Sequence, residues 1–315
     1  MSRLFPEHVQ KYFDSLIESD KKPATVKQYT SDLDKFLVWI ESYKGATDLN
    51  TLRSLQRSDI ENYIHHLQES KHSAATIRRL FSVLKGYLTF LNITITFNIK
   101  DTGVESLREL DANDFISEKE LNALLKSMKT KFNSDTPLAA ARDYLIDRNV
   151  SIVFLMRFYG MTPTEISSIN MESVNFAHNS IKLSSKYGER KIVFSDDHKK
   201  HLLLYFNSIP KAFRPRYNSK DPLFVAFNNV STSFQYDYVA GMPKKLSVRG
   251  IQKMIKMEVG HADLRKLSAA NMRNSCILDD LKANIPDEII VTKYNLTTAF
   301  SLHRYKKYIK AQKPS

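Results

Sequence analysis

Apolar residues recur at three- and four-residue spacing through most of this chain, the period of helices buried along one face. Within the first hundred residues the pattern repeats itself. PATVKQYTSDLDKFLVWI (Pro23 to Ile40) aligns without gaps with AATIRRLFSVLKGYLTFL (Ala74 to Leu91). The offset is constant at 51, setting Thr25 against Thr76, Leu33 against Leu84 and Leu37 against Leu88. Pro23 suits a first helical turn and Ser73 an N-cap. With further helices around Pro6 to Ser19 and Ser58 to Ser70, the pattern predicts four helices in two pairs, too few for a solenoid. Helical periodicity lapses in NITITFNIKDTGVESLRELDAND, Asn92 to Asp114. The chain therefore divides into a domain over 1–92, a linker over 93–114 and a second domain over 115–315.

The second domain opens on FISEKELNALLKSM, where Ser117 followed by Glu120 forms a capping box. Another apolar helix is expected over Ala139 to Gly160. Two β-type runs follow, SIKLSS and RKIVFS, joined by KYGE as a hairpin. Helices return over His198 to Ser208, Ser247 to Glu258 and Ser268 to Ala283, and in a tail from about Thr297. The fold class is mainly α with one small antiparallel sheet.

Composition narrows the function. The net charge of +13 implies a polyanionic partner, and it is unevenly placed. From Pro243 onward 15 Lys or Arg stand against 6 Asp or Glu, so this last quarter of the chain holds +9 of it. These charges are interleaved with apolar residues at helical spacing, which favours a folded surface fitted to nucleic acid over a disordered basic arm. Cys276 is the only cysteine, which excludes an internal disulfide and a cysteine-cluster zinc site. It sits in the apolar SCILDDL and reads as a core residue. No metal or cofactor is expected. The N-terminus lacks an apolar h-region and no apolar run approaches a membrane span, so the expected location is the cytoplasm, on the nucleoid.

Several phrases in this order resemble the tyrosine recombinase (phage integrase) family along nearly the whole chain. ATVKQYTSDLDKFLVWI resembles its N-terminal four-helix core-binding, SAM-like domain, and ISEKELNALL the opening of its catalytic domain. GMTPTEISSINMESVNF resembles the G-L-R-x-x-E-L motif, SSKYGERKIVFS the hairpin that carries a catalytic lysine, KLSAANMRNSCILDDLKANIP the H-x-x-R helix, and FSLHRYKKY the segment of the tyrosine nucleophile.

The resemblance implies phosphoryl transfer, in which a tyrosine hydroxyl attacks a DNA phosphodiester. Two arginines clamp the charged intermediate and a lysine and histidines move protons. Arginine suits the clamp because its planar fork donates paired hydrogen bonds to phosphate oxygens and never deprotonates. Carried over residue by residue, Lys186, Arg273 and Tyr305 match. Thr162 stands where the first arginine is expected, Ala270 where the histidine of H-x-x-R is, and Asn295 near the second histidine (or tryptophan). Arg157, the HADLR string from His261 to Arg265, and His303 are set aside as decoys by direction or spacing.

Binding surfaces, by contrast, remain. The resemblance implies two domains closing around duplex DNA, with the repeated helices in the major groove. Lys27, Gln28, Lys35, Arg78, Arg79 and Lys85 lie on their polar faces, and Lys27 with Arg78, and Gln28 with Arg79, are equivalent positions. In the second domain the resemblance makes SVRGIQKMIKMEV the groove-reading helix, carrying Arg249, Gln252, Lys253 and Lys256, with Lys244 just before it. Arg and Gln can read guanine and adenine edges, whereas lysines neutralise phosphates. Lys186 and Arg273 add phosphate contacts. The resemblance implies that the tail YKKYIKAQKPS docks on a neighbouring protomer in a homodimer, although folding back in cis fits the sequence equally.

Losing one preorganised donor costs about 10²–10³ in rate, and Thr162 offers no charge. The expectation from sequence is therefore a protein that is not an enzyme: a sequence-specific double-stranded DNA-binding protein acting as a transcriptional repressor of prophage genes. The alternatives are an atypical tyrosine recombinase using Tyr305, or an accessory factor to an active recombinase.

Overall fold

Helix dominates both halves of the computed structural model, which describes residues 5–104, 108–131, 136–185 and 188–312. The chain forms two units, Met1–Arg108 and Glu109–Ser315.

The first unit contains α1 (Glu7–Glu18), α2 (Pro23–Lys44), α3 (Leu49–Arg53), α4 (Arg57–Glu69) and α5 (Ala74–Phe90). Pro23 occupies the first turn of α2, and the Ser73 hydroxyl accepts from the Thr76 N–H to cap α5. Helices α2 and α5 are the repeats, and their equivalent leucines, Leu33 with Leu84 and Leu37 with Leu88, are buried in one core. The short α3, capped by Asp48 accepting from Thr51 N–H at 2.9 Å, has no counterpart in the expected set of four. It is too brief to show a period. Past α5, Ile93, Ile95, Phe97 and Val104 pack against this core, so the front of the expected linker belongs to the first unit.

Trp39, the only tryptophan, stacks on Tyr43 at 4.8 Å beside Phe36 and Tyr63. Ile40, its neighbour on α2, is fully buried. Ile40→Val is expected to lower the stability of this unit by about 0.5–1.5 kcal/mol through the lost methylene. Urea unfolding followed by Trp39 fluorescence checks it; an unchanged midpoint would mean the site refills.

The second unit begins with α6 (Glu118–Lys129), α7 (Pro137–Tyr144), α8 (Ile146–Arg157) and α9 (Pro163–Ser167). The helix expected over Ala139 to Gly160 is two helices. Leu145, at φ −102° and ψ 9°, leaves the helical region between α7 and α8. Apolar spacing continues across the break, so the sequence does not mark it. From Arg148 to Met156 every residue of α8 is buried, and α6 packs on this central helix.

Strands β1 (Val174–Asn175), β2 (Ser180–Ser185) and β3 (Gly188–Val193) form an antiparallel sheet in that order, with Leu183 opposite Arg190. Helix α10 (Asp196–Ser208) returns onto α8. Two small ribbons follow, β4 (Phe227–Asn228) with β5 (Ser233–Phe234) and β6 (Tyr236–Asp237) with β7 (Met242–Pro243). Two-residue strands leave no alternation to read, and the sequence did not predict them.

The unit closes with α11 (Val248–His261), α12 (Ala269–Lys282), α13 (Asp287–Lys293) and α14 (His303–Ala311), and α12 packs on α8. The tail helix lies on its own unit. Tyr308 and Ile309 pack against Leu110, Phe115 and Leu278, and Lys306 pairs with Asp287 at 2.5 Å. Its apolar side packs in cis, one of the two arrangements that the sequence allowed. Among the described residues no helix is long and apolar enough to cross a membrane, and no group of side chains could hold a metal ion.

Candidate DNA phosphate site and DNA-facing helix

Helix α8 ends where the chain turns through Gly160, whose φ of +59° is in the left-handed region. Thr162 then caps α9. Its hydroxyl accepts from Glu165 N–H at 3.2 Å, while Glu165 Oε2 accepts from Thr162 N–H at 2.7 Å and from its hydroxyl at 2.8 Å. The residue in the arginine position of the motif is thus committed to helix capping.

Arg273 reaches this turn from α12. Its guanidinium donates through Nη1 to the Gly160 carbonyl and through Nη2 to the Tyr294 carbonyl, and lies 5.5 Å from the Tyr294 ring centre. Tyr294 is itself pinned, its hydroxyl donating to Asp280 Oδ2 at 2.7 Å. Arg273 is therefore a positioned cation with little freedom.

A second guanidinium stands beside it. Arg190, on β3, donates through Nη1 to the Lys293 carbonyl, and its Nη2 lies 2.9 Å from Glu165 Oε1. Arg273 Nη1 is 3.6 Å from the other oxygen of the same carboxylate. Burial, with Arg273 adding to it, pulls the Arg190 pKa below its usual value, while Glu165 opposes the shift. Sequence reasoning missed Arg190. The signal was the alternation along β3, where exposed Lys191 and Val193 flank a face shared by Arg190 and buried Ile192.

The other predicted residues divide. Tyr305, on α14, donates its hydroxyl to Asn274 Oδ1 at 2.8 Å, the residue next to Arg273, and its ring meets Phe115 edge-on at 6.3 Å. Burial pushes its pKa up, with Arg273 and Arg304 pulling against that. Asn295, at φ 55°, lines the same polar recess as Glu165 and Arg190. Ala270 is exposed and supplies no proton-handling group. Lys186 lies outside the described residues. The decoys hold other posts: Arg157 pairs with Asp279 at 2.7 Å, Arg265 with Glu120 at 2.6 Å, and His303 stacks on Phe300.

Helix α11 has two faces. Ile251, Met254, Ile255 and Val259 are buried, whereas Arg249, Gln252, Lys253 and Lys256 are exposed, as is Lys244 before it. In the first unit Lys27, Lys35 and Lys85 are exposed and Arg78 is half-buried. Gln28 and Arg79, equivalent positions of the repeat and also exposed, meet at buried Asp32; Gln28 Nε2 donates to it at 2.9 Å and Arg79 forms an ion pair with it. An acidic residue inside the paired helices thus gives both a partner within the protein, although both side chains stay exposed.

Residues 9–92 match the family described as "Phage integrase, N-terminal SAM-like domain". The tyrosine recombinase XerD of Oceanobacillus iheyensis is 24% identical over 222 residues, 69% of each chain. Among solved structures, the Tn1549 transposon integrase in complex with circular intermediate DNA superposes with a TM-score of 0.67 at 13% identity, covering 97% of this chain and 99% of that one. The N-terminal part of the chain thus matches a phage integrase domain family, and the chain as a whole is similar to tyrosine recombinases in sequence and in fold. A post-cleavage complex of the XerH site-specific recombinase on palindromic difH also shares the fold, with a TM-score of 0.64, 16% identity, and coverage of 91% and 79%.

These comparisons correct the expectation of a protein that is not an enzyme. The relatives that the chain matches are named as tyrosine recombinases. Thr162 removes a guanidinium from the motif, but the fold brings Arg190 from β3 to Glu165, where no motif position shows it.

Proposed function

We propose that this chain binds double-stranded DNA and breaks and rejoins a strand by a tyrosine-recombinase reaction, with Tyr305 as the nucleophile. The observation that supports it most is the meeting of Tyr305 and Arg273 at α12. The tyrosine hydroxyl rests on Asn274, one residue from the arginine that would grip the phosphate. In the step, the Tyr305 oxygen bonds to phosphorus as the phosphorus–oxygen bond to the leaving sugar breaks. The phenolic proton leaves to a base, and the leaving oxygen takes one up. Because burial holds the phenol above its ordinary pKa, attack requires such a base. By resemblance Lys186 handles one of these protons. The exposed Arg249, Gln252, Lys253 and Lys256 of α11 would place the duplex.

The test uses nicked duplexes that trap a covalent intermediate, cut from the DNA flanking this gene. A protein–DNA adduct resolved on a denaturing gel, absent in Tyr305→Phe, is the expected result. No adduct from wild type, or one that persists in Tyr305→Phe, refutes the reading.

A second reading rests on the same helix. Arg249 and Gln252 are the side-chain types that read guanine and adenine edges, and such a face can hold an operator. It supports transcriptional repression of prophage genes, of the kind that maintains lysogeny in SPbeta-type Bacillus prophages. A reporter fused to a bound promoter should rise when Arg249 and Gln252 are both changed to alanine; a reporter that stays silent counts against it.

A further inference from the structure

Glu165 stands between two cations and is held differently at its two oxygens. Oε2 carries the α9 cap, accepting from Thr162 at 2.7 Å and 2.8 Å, and Oε1 faces Arg190 at 2.9 Å. Arg190 has only 10% of its side chain exposed, yet its Nε and Nη2 make no hydrogen bond. Buried guanidinium donors ordinarily find acceptors. Here an ion pair without hydrogen-bond geometry occupies the end of the fork, beside a polar recess of about 300 Å³ whose charged lining is Glu165, Glu172, Lys182, Glu189 and Arg190. Such a fork is shaped for a planar or tetrahedral oxyanion with two oxygens to offer.

We propose that Arg190 and Arg273 together seat one backbone phosphate of DNA, Arg190 supplying from β3 the guanidinium that Thr162 does not, with Glu165 holding the seat when it is empty. This rests on the DNA-binding reading above and names its phosphate contact. Glu172 and Glu189 also line the recess, so an anion would be drawn by the two guanidinium groups at the seat and not by the net charge around it. Phosphate can displace Glu165 from Arg190 without undoing α9, because the cap uses the other oxygen. Glu165 is then a positioning residue that keeps two like charges close enough to act together.

The test titrates inorganic phosphate into the full chain at constant ionic strength, with chloride as the control, and follows thermal unfolding. Wild type is expected to show a saturable rise in midpoint. Arg190→Met should lose it, Arg190→Lys should weaken it by about tenfold because a point charge replaces the fork, and Glu165→Gln should strengthen it several-fold by removing the competitor. A purely structural Arg190–Glu165 pair predicts the opposite for Glu165→Gln: lower stability and no gain in phosphate affinity. No saturable response in wild type, the same response in Arg190→Lys, or weaker binding in Glu165→Gln each overturns the proposal. Should Arg190→Met not fold, the lysine variant carries the test. Mobility shift of wild type on duplex DNA reports separately on the function: duplex binding with a phosphate response indifferent to Arg190 keeps the function and sinks the seat. A phosphate response lost in Arg190→Met without duplex binding does the reverse.

Discussion

Glu258→Ala is expected to destabilise the second unit by about 3–5 kcal/mol, the usual result of removing one partner from a buried ion pair. Glu258 and Arg142 are both buried, with Arg142 Nη2 at 3.0 Å from Glu258 Oε2. The other carboxylate oxygen accepts from Asn149 Nδ2 at 3.0 Å, and Asn149 Oδ1 in turn accepts from Arg148. A single carboxylate thus serves two buried guanidinium groups, one directly and one through an amide. Arg142 would keep its bonds to the carbonyls of Ser127 and Thr130, which neutralise nothing. Chemical unfolding followed by circular dichroism measures the loss. Arg142→Met combined with Glu258→Met should recover most of it, because apolar replacements remove both charges. A loss below about 1 kcal/mol would show that solvent reaches the pair and screens it.

The network also bears on function, since Glu258 sits on α11 and its partners on α7 and α8. It ties down the helix whose opposite face carries Arg249, Gln252 and Lys253. In the proposed DNA complex that face would have to be held at fixed register, and a hydrogen-bonded buried charge gives such direction where apolar packing alone would let the helix roll.

What could be read from the sequence follows from how far apart the determining residues are. The repeated helices were visible because an amphipathic period and the matched pairs Leu33 with Leu84 and Leu37 with Leu88 are local signals, and those leucines do form one core. Helix α8 is buried all round, so its apolar spacing continued through the break at Leu145 and hid it. The ribbons β4–β5 and β6–β7 are set by pairing across two residues and left no trace. At the site, Arg273, Tyr305 and the anomaly at Thr162 were visible as motif letters. Arg190 was not, because it takes part through the face of its strand and not through a motif position. Glu165 was visible only as a motif glutamate; that it faces a strand arginine is a contact made by folding. The expectation of a protein that is not an enzyme, which the named relatives overturn, rests on motif letters alone, and motif letters do not count charges in space.

Gly160→Ala tests how tightly that space is filled. The added Cβ would lie 2.1 Å from Tyr294 Cε1 and 2.6 Å from Cδ1, far inside contact distance. The ring cannot slide away: Tyr294 is fully buried and its hydroxyl is held by Asp280 and the Cys276 carbonyl. Backbone strain adds to the overlap, since φ is +59° there. Left-handed backbone costs a residue with Cβ about 1–2 kcal/mol, and overpacking about 1–3 kcal/mol more, for an expected total of about 2–5 kcal/mol. Gly241→Ala separates the two, because Gly241 has φ +63° with nothing within 4 Å of a Cβ. It should lose only the backbone part. Any relief at Gly160 must move the carbonyl that accepts from Arg273, so the variant should also bind DNA more weakly than its stability loss explains. Equal costs at Gly160 and Gly241, with duplex affinity unchanged, would mean that Tyr294 yields and that Arg273 does not depend on this turn.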